Sequence, residues 1–351
     1  MKKYFKKKSV RYTCFVLEIL LFIIGIVGVR YYILHNRPNI KVENSAVYLY
    51  IPTGATMEQV LDSLRKMKVL KVESRFISAA EGKKYAGNIR PGRYKLTNGM
   101  SNADLLHKLT RGLQEPVRLT LSGNIRTNER LAMLLSRTVE ADSAKILLIL
   151  NDSVITADYG FTPATIMGMF IPNTYEVYWN ISPETLMRRM KREYDNFWTN
   201  TRKTKAEALN LTPQQVMTLA SIVYEESLKN DEMPRIAGVY INRLNKKMTL
   251  DADPTLKFAA GDFTIRRVLN RHKLIDSPYN TYKYAGLPPG PICVPPPVAI
   301  DAVLNYERHD YLYFCARPDL SGYHNFAKTL SQHNQNARNY HEMLNRNRIY
   351  R

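Results

Sequence analysis

Thr212-Pro213-Gln214-Gln215-Val216-Met217-Thr218-Leu219-Ala220-Ser221-Ile222-Val223-Tyr224-Glu225-Glu226-Ser227 reads as a capped helix that carries two carboxylates to its far end. Thr212 takes the N-cap, Pro213 the first helical position, and Gln215 closes a capping box. The pattern runs on to about Leu228, and a second helix follows from Pro234 to Leu244. Leu219, Val223 and Glu226 fall at i, i+4 and i+7, so Glu226 shares the apolar face and Glu225 turns towards its flank. A carboxyl group against apolar surface loses hydration of its charged form, which lifts its pKa above the roughly 4.3 of a free Glu. A Glu that stays protonated near neutrality can act as a general acid. The same spacing also fits a last turn that shows both acids to water, and spacing alone does not separate the two.

The flanks hold the other polar candidates. Asp251 and Asp253 bracket Ala252 just before Pro254, and Asn280, Tyr282 and Tyr284 lie in a Pro/Gly-rich stretch from Tyr279 to Pro297. That stretch must be a long shaped loop, and long ordered loops tend to be functional. His324 and the pair His333-Asn334 come later. Lone histidines are more often structural than catalytic, and the tyrosines fit core positions as well as rings that stack on sugars. No glycine-rich phosphate loop opens a helix, no His/Cys cluster has ligand spacing, and no Gly-x-Ser-x-Gly elbow occurs. Nucleotide, metal and serine-hydrolase chemistry are therefore not expected, and neither is a cofactor.

Upstream, residues 115 to 210 read as a mixed section. Ala141 to Leu150 and Pro183 to Phe197 are expected as helices, and Gly168 to Tyr175 as a strand entering a loop. Before it is an internal echo: Gly54-Ala55-Thr56 leads into Val60, Leu61 and Leu64, and Gly99-Met100-Ser101 into Leu105, Leu106 and Leu109. Each copy follows a strand-like stretch, Val47 to Ile51 and Gly92 to Leu96. The Ser/Thr residues can cap helices whose apolar residues share one face, so two strand-turn-helix units would pair into one small α+β domain. His35 to Asn44 reads as a polar linker.

At the N-terminus, Lys2, Lys3, Lys6, Lys7, Lys8 and Arg11 precede an apolar run from Cys14 to Leu34, 21 residues long. That length crosses a bilayer once as a helix, with Glu18 and Arg30 near the ends and Tyr31 and Tyr32 at an interface. The basic flank would stay in the cytoplasm by the positive-inside rule. A cleaved signal peptide is the alternative, but no convincing cleavage site follows the run. The 351 residues carry a net charge of +20, which suits anionic partners. The charge is spread out after the N-terminus, so nucleic acid is not expected. Among three cysteines, Cys293 and Cys315 could pair outside the cytoplasm, and the sequence leaves that open.

The chain resembles the endolytic murein transglycosylases of the MltG (YceG-like) family. The resemblance is carried by Leu219 to Ser227, by Ala237-Gly238-Val239-Tyr240-Ile241-Asn242-Arg243-Leu244, and by Met248-Thr249-Leu250-Asp251-Ala252-Asp253-Pro254-Thr255. It continues through Ser277 to Tyr282 and Gly286 to Ile292, and closes with Tyr311 to Phe314 and His324-Asn325-Phe326. The motifs are specific and in order; the likeness is weakest from about 115 to 165. Val294-Pro295-Pro296-Pro297 and Tyr306-Glu307 depart from the family pattern, away from Glu226 in sequence.

The resemblance implies a mixed α+β fold: a transmembrane helix at 13–34 after a cytoplasmic segment 1–12, a linker 35–44, a LysM-like domain 45–113 and a catalytic domain 114–351. It implies a non-hydrolytic cut of the β-1,4 bond between N-acetylmuramic acid and N-acetylglucosamine. Glu226, in the family's Glu-Ser pair, would be acid and then base, and the muramyl 6-hydroxyl the nucleophile, giving 1,6-anhydro ends. The nucleophile is part of the substrate, so one carboxylate suffices, whereas ordinary glycosidases use a pair roughly 5 to 9 Å apart. Ser227, Asp253, Asn280, Tyr282 and His324 are expected to bind substrate or shape its cleft. The resemblance implies peptidoglycan strands as partner and no metal or cofactor. The N-terminal run adds one membrane, and the anchor, holding the site where new glycan emerges, motivates the peptidoglycan synthases as further partners. The body would lie outside the cytoplasmic membrane and act on nascent strands, terminating their growth. Two rivals remain: a muramidase-type hydrolase with Asp253 as base, and a non-catalytic wall-binding scaffold.

Overall fold

The computed structural model describes residues 2–122, 125–265 and 268–346, with side chains from residue 11 onward. The side chains Lys2, Lys3, Lys6, Lys7 and Lys8 of the basic flank lie outside that description. So do residue 1 and residues 347–351, the ends of the expected first and last segments. Helix α1 is Lys2–His35. Its portion Arg11–His35, 25 residues, is long and apolar enough to cross a membrane; its most apolar stretch is uncovered, while its end packs on the first compact unit of the chain through Leu34 and His35. At 1.5 Å per residue it would reach about 37 Å, against about 30 Å of bilayer hydrocarbon.

The chain divides into two compact units, Met1–Val117 with Glu176–Asn180, and Arg118–Tyr175 with Ile181–Arg351. After α1 the first unit holds β1 (Ala46–Ile51), α2 (Met57–Lys66), α3 (Glu73–Gly82), β2 (Gly92–Thr97) and α4 (Asn102–Arg111). The strands pair antiparallel, with Ala46 opposite Thr97 and Ile51 opposite Gly92. The echo in the sequence is an echo in space. Gly54 and Gly99 both take positive φ at the turn, 78° and 81°. Thr56 and Ser101 then cap α2 and α4 in complete capping boxes. Val60, Leu61 and Leu64 and their counterparts Leu105, Leu106 and Leu109 meet Leu49, Ile51, Tyr94 and Leu96 in one core. Helix α3 has no counterpart in the echo; it enters the same core through Phe76, Ala79 and Ala80.

The expected polar linker is instead part of this unit. Ile40 is wholly buried and Val42 nearly so. The Asn39 side chain, also fully buried, donates to Val72 O and to Asn102 Oδ1 and accepts from Val72 N–H. Asn102 in turn donates to Leu34 O at 2.8 Å, tying the end of α1 to the start of α4. Composition marked the stretch as a linker, but two apolar residues and one satisfied amide suffice to dock it.

The second unit begins inside β3 (Val117–Thr120), at Arg118, and continues through α5 (Asn128–Ser136), α6 (Ser143–Asn151) and α7 (Ser153–Asp158). Residues expected as a strand from Gly168 begin in a buried 3-10 turn, Ile166–Met169, and the strand β4 is only Thr174–Val177. The apolar run there is buried by its tertiary surroundings, and burial alone does not choose between turn and strand. Helices α8 (Pro183–Phe197) and α9 (Asn200–Ala208) lead to α10 (Pro213–Glu226), α11 (Met233–Asn245), α12 (Asp253–Ala260) and the short α13 (Asn270–Lys273). Then come α14 (Pro297–Leu304), the hairpin β5 (Tyr313–Ala316) and β6 (His324–Ala327), and α15 (Leu330–Arg346). Every residue of α10 from Val216 to Val223 is buried, so it is a central helix and not an amphipathic one. Helices α11, α12 and α14 pack against it.

Candidate active site

The last residue of α10 is Glu226. The helix stops two residues short of the expected Leu228: Ser227 is extended, at φ −141° and ψ 135°, and Leu228 is 89% exposed. Glu226 itself is half-buried. The Tyr240 hydroxyl, on the buried face of α11, donates to Glu226 Oε1 at 2.6 Å. Burial of the carboxyl group raises the Glu226 pKa to about 7; the Tyr240 hydrogen bond and Lys257 oppose that rise, while Asp253 and Glu225 add to it. Loss of hydration thus outweighs the donor. The result is a carboxyl group that can hold a proton near neutral pH, give it up and take it back.

Glu225, one position round, is engaged differently. Arg126 Nε and Nη2 donate to its two oxygens at 3.0 and 2.8 Å. The Arg126 guanidinium also sits 5.0 Å from the Phe263 ring centroid. A small cavity of about 50 Å³ is lined by Arg126, Glu225, Pro254, Lys257, Phe263 and Ile292. The two adjacent acids therefore have separate environments, a bidentate ion pair for one and a buried hydroxyl donor for the other.

The Pro/Gly loop is strapped across α10. Ile292 N–H donates to Ser221 Oγ at 3.0 Å, and Val294 N–H to Ile125 O at 2.8 Å. Nearer its start the loop presents Tyr282, whose hydroxyl donates to Asp253 Oδ1 at 2.6 Å. Asp253 is exposed at the first position of α12. Asn280 is fully buried, and all its hydrogen-bonding groups serve the loop: its amide donates to Lys273 O and Ile275 O, and its Oδ1 accepts from Tyr282 N–H. Its surroundings fit the shaping role and leave no free group for a ligand. Asp251 takes φ +50° and pairs with Arg243 at 2.8 Å. Tyr284 donates to Asp276.

Ser227 and His324 meet at a third acid, Glu232, which the sequence reading passed over. Glu232 Oε1 accepts the His324 backbone N–H at 2.8 Å, and Oε2 lies 2.7 Å from His324 Nδ1 and 3.4 Å from Ser227 Oγ. Thus Glu226, Asp253 and Tyr282 form one neighbourhood and Ser227, Glu232 and His324 another, joined at the Glu226-Ser227 peptide. The sequence also gave no role to Arg126, Tyr240 or Lys257. Tyr240 sat inside a recognised motif but on a helix face that reads as core, and Arg126 lies in the stretch of weakest likeness. Cys293 is a buried free thiol and Cys315 a half-buried one, so the open question of a bridge is answered by two thiols. Among the described residues no group of His, Cys, Asp and Glu is arranged to hold a metal ion.

A family model described as the YceG-like family matches residues 49–339. A Bacillus subtilis (strain 168) protein named endolytic murein transglycosylase is 30% identical over 319 residues, which cover 87% of each chain. A Streptococcus pneumoniae (strain ATCC BAA-255 / R6) protein of the same name is 31% identical over 299 residues, 76% of this chain and 53% of that one. In structure, a yceG-like protein from Listeria monocytogenes, solved by crystallography at 2.6 Å, superposes with a TM-score of 0.54 at 27% identity. It covers 83% of this chain and 98% of its own.

Proposed function

The chain belongs to the YceG-like family, and from that premise we propose that it is an endolytic murein transglycosylase with Glu226 as its general acid and base. The observation that carries the reading is the Glu226 carboxyl group, protonated up to about pH 7 by burial and held through one oxygen by Tyr240. Glu226 protonates the glycosidic oxygen of the bond between N-acetylmuramic acid and N-acetylglucosamine, and the aminosugar leaves as an alcohol. The same carboxylate then takes the proton of the muramyl 6-hydroxyl as that oxygen closes onto the anomeric carbon. Microscopic balance is kept: one C–O bond breaks, one forms, and the proton returns to Glu226.

Asp253 and Tyr282, coupled to each other, flank the cleft as substrate-positioning groups, and Asn280 shapes the loop that carries Tyr282. Asp253 as the base of a hydrolase is the weaker reading, because its carboxylate is already held by Tyr282. The second unit, close to the expected boundary at 114, is the catalytic part. The first unit, with two helices between its paired strands, is the LysM-like glycan-binding part. The proposed enzyme is anchored by helix α1 in the cytoplasmic membrane, with its basic end inside and the catalytic part outside, acting on new strands near the synthases; the length and apolarity of α1 support the anchor.

The test is mass spectrometry of muropeptides released from uncrosslinked glycan by the detergent-solubilised full chain. Anhydro-ended products are expected. Reducing-end products would move the answer to a hydrolase, and no release with retained glycan binding would favour the scaffold. A second expectation concerns Tyr240→Phe. Its hydroxyl stabilises the carboxylate, so removing it raises the Glu226 pKa and moves the alkaline limb of kcat/KM upward. A hydrogen bond to a charged group is worth about 1.5–3 kcal/mol, so the move should be of the order of one pH unit. A pH–rate profile that stays put or moves down would refute the assignment of Tyr240.

A further inference from the structure

We propose that Glu232 is a positioning residue for Glu226, acting through Ser227 on one side and through His324, Phe314 and Tyr240 on the other. The inference rests on the reading of Glu226 given above. Glu232 is 4% exposed, and a carboxylate that far from water is destabilising unless its oxygens are occupied. Here they are occupied by two elements at once: Oε1 by the His324 backbone N–H, and Oε2 by His324 Nδ1 and Ser227 Oγ. The carboxylate only accepts, so Nδ1 carries the hydrogen of that pair.

The first route is the chain itself. Ser227 is the residue at which α10 stops, and its backbone leaves Glu226 as the last helical residue. Ser227 is 4% exposed; its Oγ accepts from Lys229 N–H at 3.0 Å and reaches Glu232 at 3.4 Å. Both links fix where the helix ends, and so where the Glu226 side chain begins. The second route is a row of rings. The His324 ring stands edge-on to Phe314 with centroids 5.2 Å apart, and Phe314 stands edge-on to Tyr240 at 5.8 Å. Tyr240 donates to Glu226. Glu232 is also where α11 starts: its carbonyl accepts from Arg235 N–H and Ile236 N–H. Its side chain makes no cap on its own helix, which leaves it for the contacts to β6 and to the end of α10. The contacts close into a ring, Glu232–His324–Phe314–Tyr240–Glu226–Ser227–Glu232. A fixed carboxyl matters because a displacement of about 1 Å can cost a hundredfold in rate.

The titratable and charged groups that act on Glu226 include Glu225 on its own helix, Tyr240 on α11, Asp253 and Lys257 on α12, and Tyr282 on the Pro/Gly loop. Neutralising Glu232 removes a negative charge, which by itself favours ionised Glu226 and lowers its pKa, so an upward move of the limb reports geometry and not charge. The experiment compares the full chain in detergent with Glu232→Gln, Tyr240→Phe, the double variant and Glu226→Gln. Glu232→Gln should lower kcat about 10- to 100-fold with KM within about twofold. It should move the alkaline limb up, as Tyr240→Phe does, and move it no further in the Tyr240→Phe background. Unchanged kcat and limb in a folded Glu232→Gln, or additive limb shifts in the double variant, overturn the proposal. If Glu232→Gln does not fold, Ser227→Ala and His324→Gln carry the test, and limbs identical to the unmodified chain overturn it. The reading of Glu226 fails separately, by full activity of Glu226→Gln or by absence of anhydro ends from the unmodified chain.

Discussion

Glu226→Gln should lose about three orders of magnitude in glycan cleavage and at the same time gain stability above neutral pH. The rate loss follows from removing the proton that the leaving oxygen needs, for which general acid–base groups typically supply 10²–10⁴-fold, about a thousandfold at the centre of that range. The stability gain follows from the raised pKa. In the unfolded chain the carboxyl titrates at its ordinary 4.5, and in the folded chain at about 7. The folded state therefore binds more protons between those values, and the stability this brings is full below pH 4.5 and lost as pH rises through 7. At pH 8 the folded chain must hold a poorly hydrated carboxylate, on the order of 3 kcal/mol at most, since solvent reaches part of the residue. Gln carries no such charge, and its amide oxygen still accepts from Tyr240. Melting temperatures at pH 5 and pH 8 check this: the variant's advantage should grow with pH. A variant less stable than the unmodified chain at pH 8 would show that the carboxylate is well solvated, and a rate loss below tenfold would remove Glu226 as the acid.

The position of Glu226 at the end of α10 was legible in the sequence because it depends on one helix. The cap at Thr212 sets the start, the spacing from Leu219 and Val223 sets the face, and both are local. The echo around Gly54 and Gly99 was legible for the same reason, since turn, cap and apolar face lie within a dozen residues each. Burial of α10 on all sides was not legible, because Thr218 and Ser221 break the apolar pattern while being buried through bonds to carbonyls of their own helix. Glu232 was missed because a carboxylate next to Asp231 and Pro234 reads as a solvated junction; its partner His324 lies 92 residues on. Arg126 is 99 residues from Glu225, and only folding shows that they meet. Asn39 and Ile40 look like linker because the residues they bind, Val72, Met100 and Asn102, belong to other elements. What the sequence withheld is thus consistently the long-range half of a contact, whereas caps, turns and faces were on its surface.

Gly290→Ala should destabilise the second unit by about 3 kcal/mol or more and abolish cleavage with it. A Cβ on Gly290 would overlap the carbonyl oxygen and carbon of Ala164 and lie 3.3 Å from Thr165 N. All three are main-chain atoms, so no side chain can rotate away, and the loop from 279 to 296 would have to lift from the segment it crosses. Overpacking of this kind typically costs 1–3 kcal/mol, more where backbone meets backbone, and about 3 is taken here as the lower bound. Lifting the loop would also strain the Ile292–Ser221 bond that fastens it to α10 and the Tyr282–Asp253 pair near its start. The effect on cleavage should then exceed what stability alone predicts under conditions where the variant is still folded. Gly82→Ala is the matched comparison. Gly82 ends α3, nothing lies within 4 Å of a Cβ there, and Ala is the better helix residue by roughly 0.5–1 kcal/mol. The same change of one methyl group should therefore lower the urea midpoint at Gly290 and leave it level or raise it at Gly82. Equal midpoints for the two variants would mean that the loop does not press on residues 164–165, and the strap across α10 would lose its physical basis.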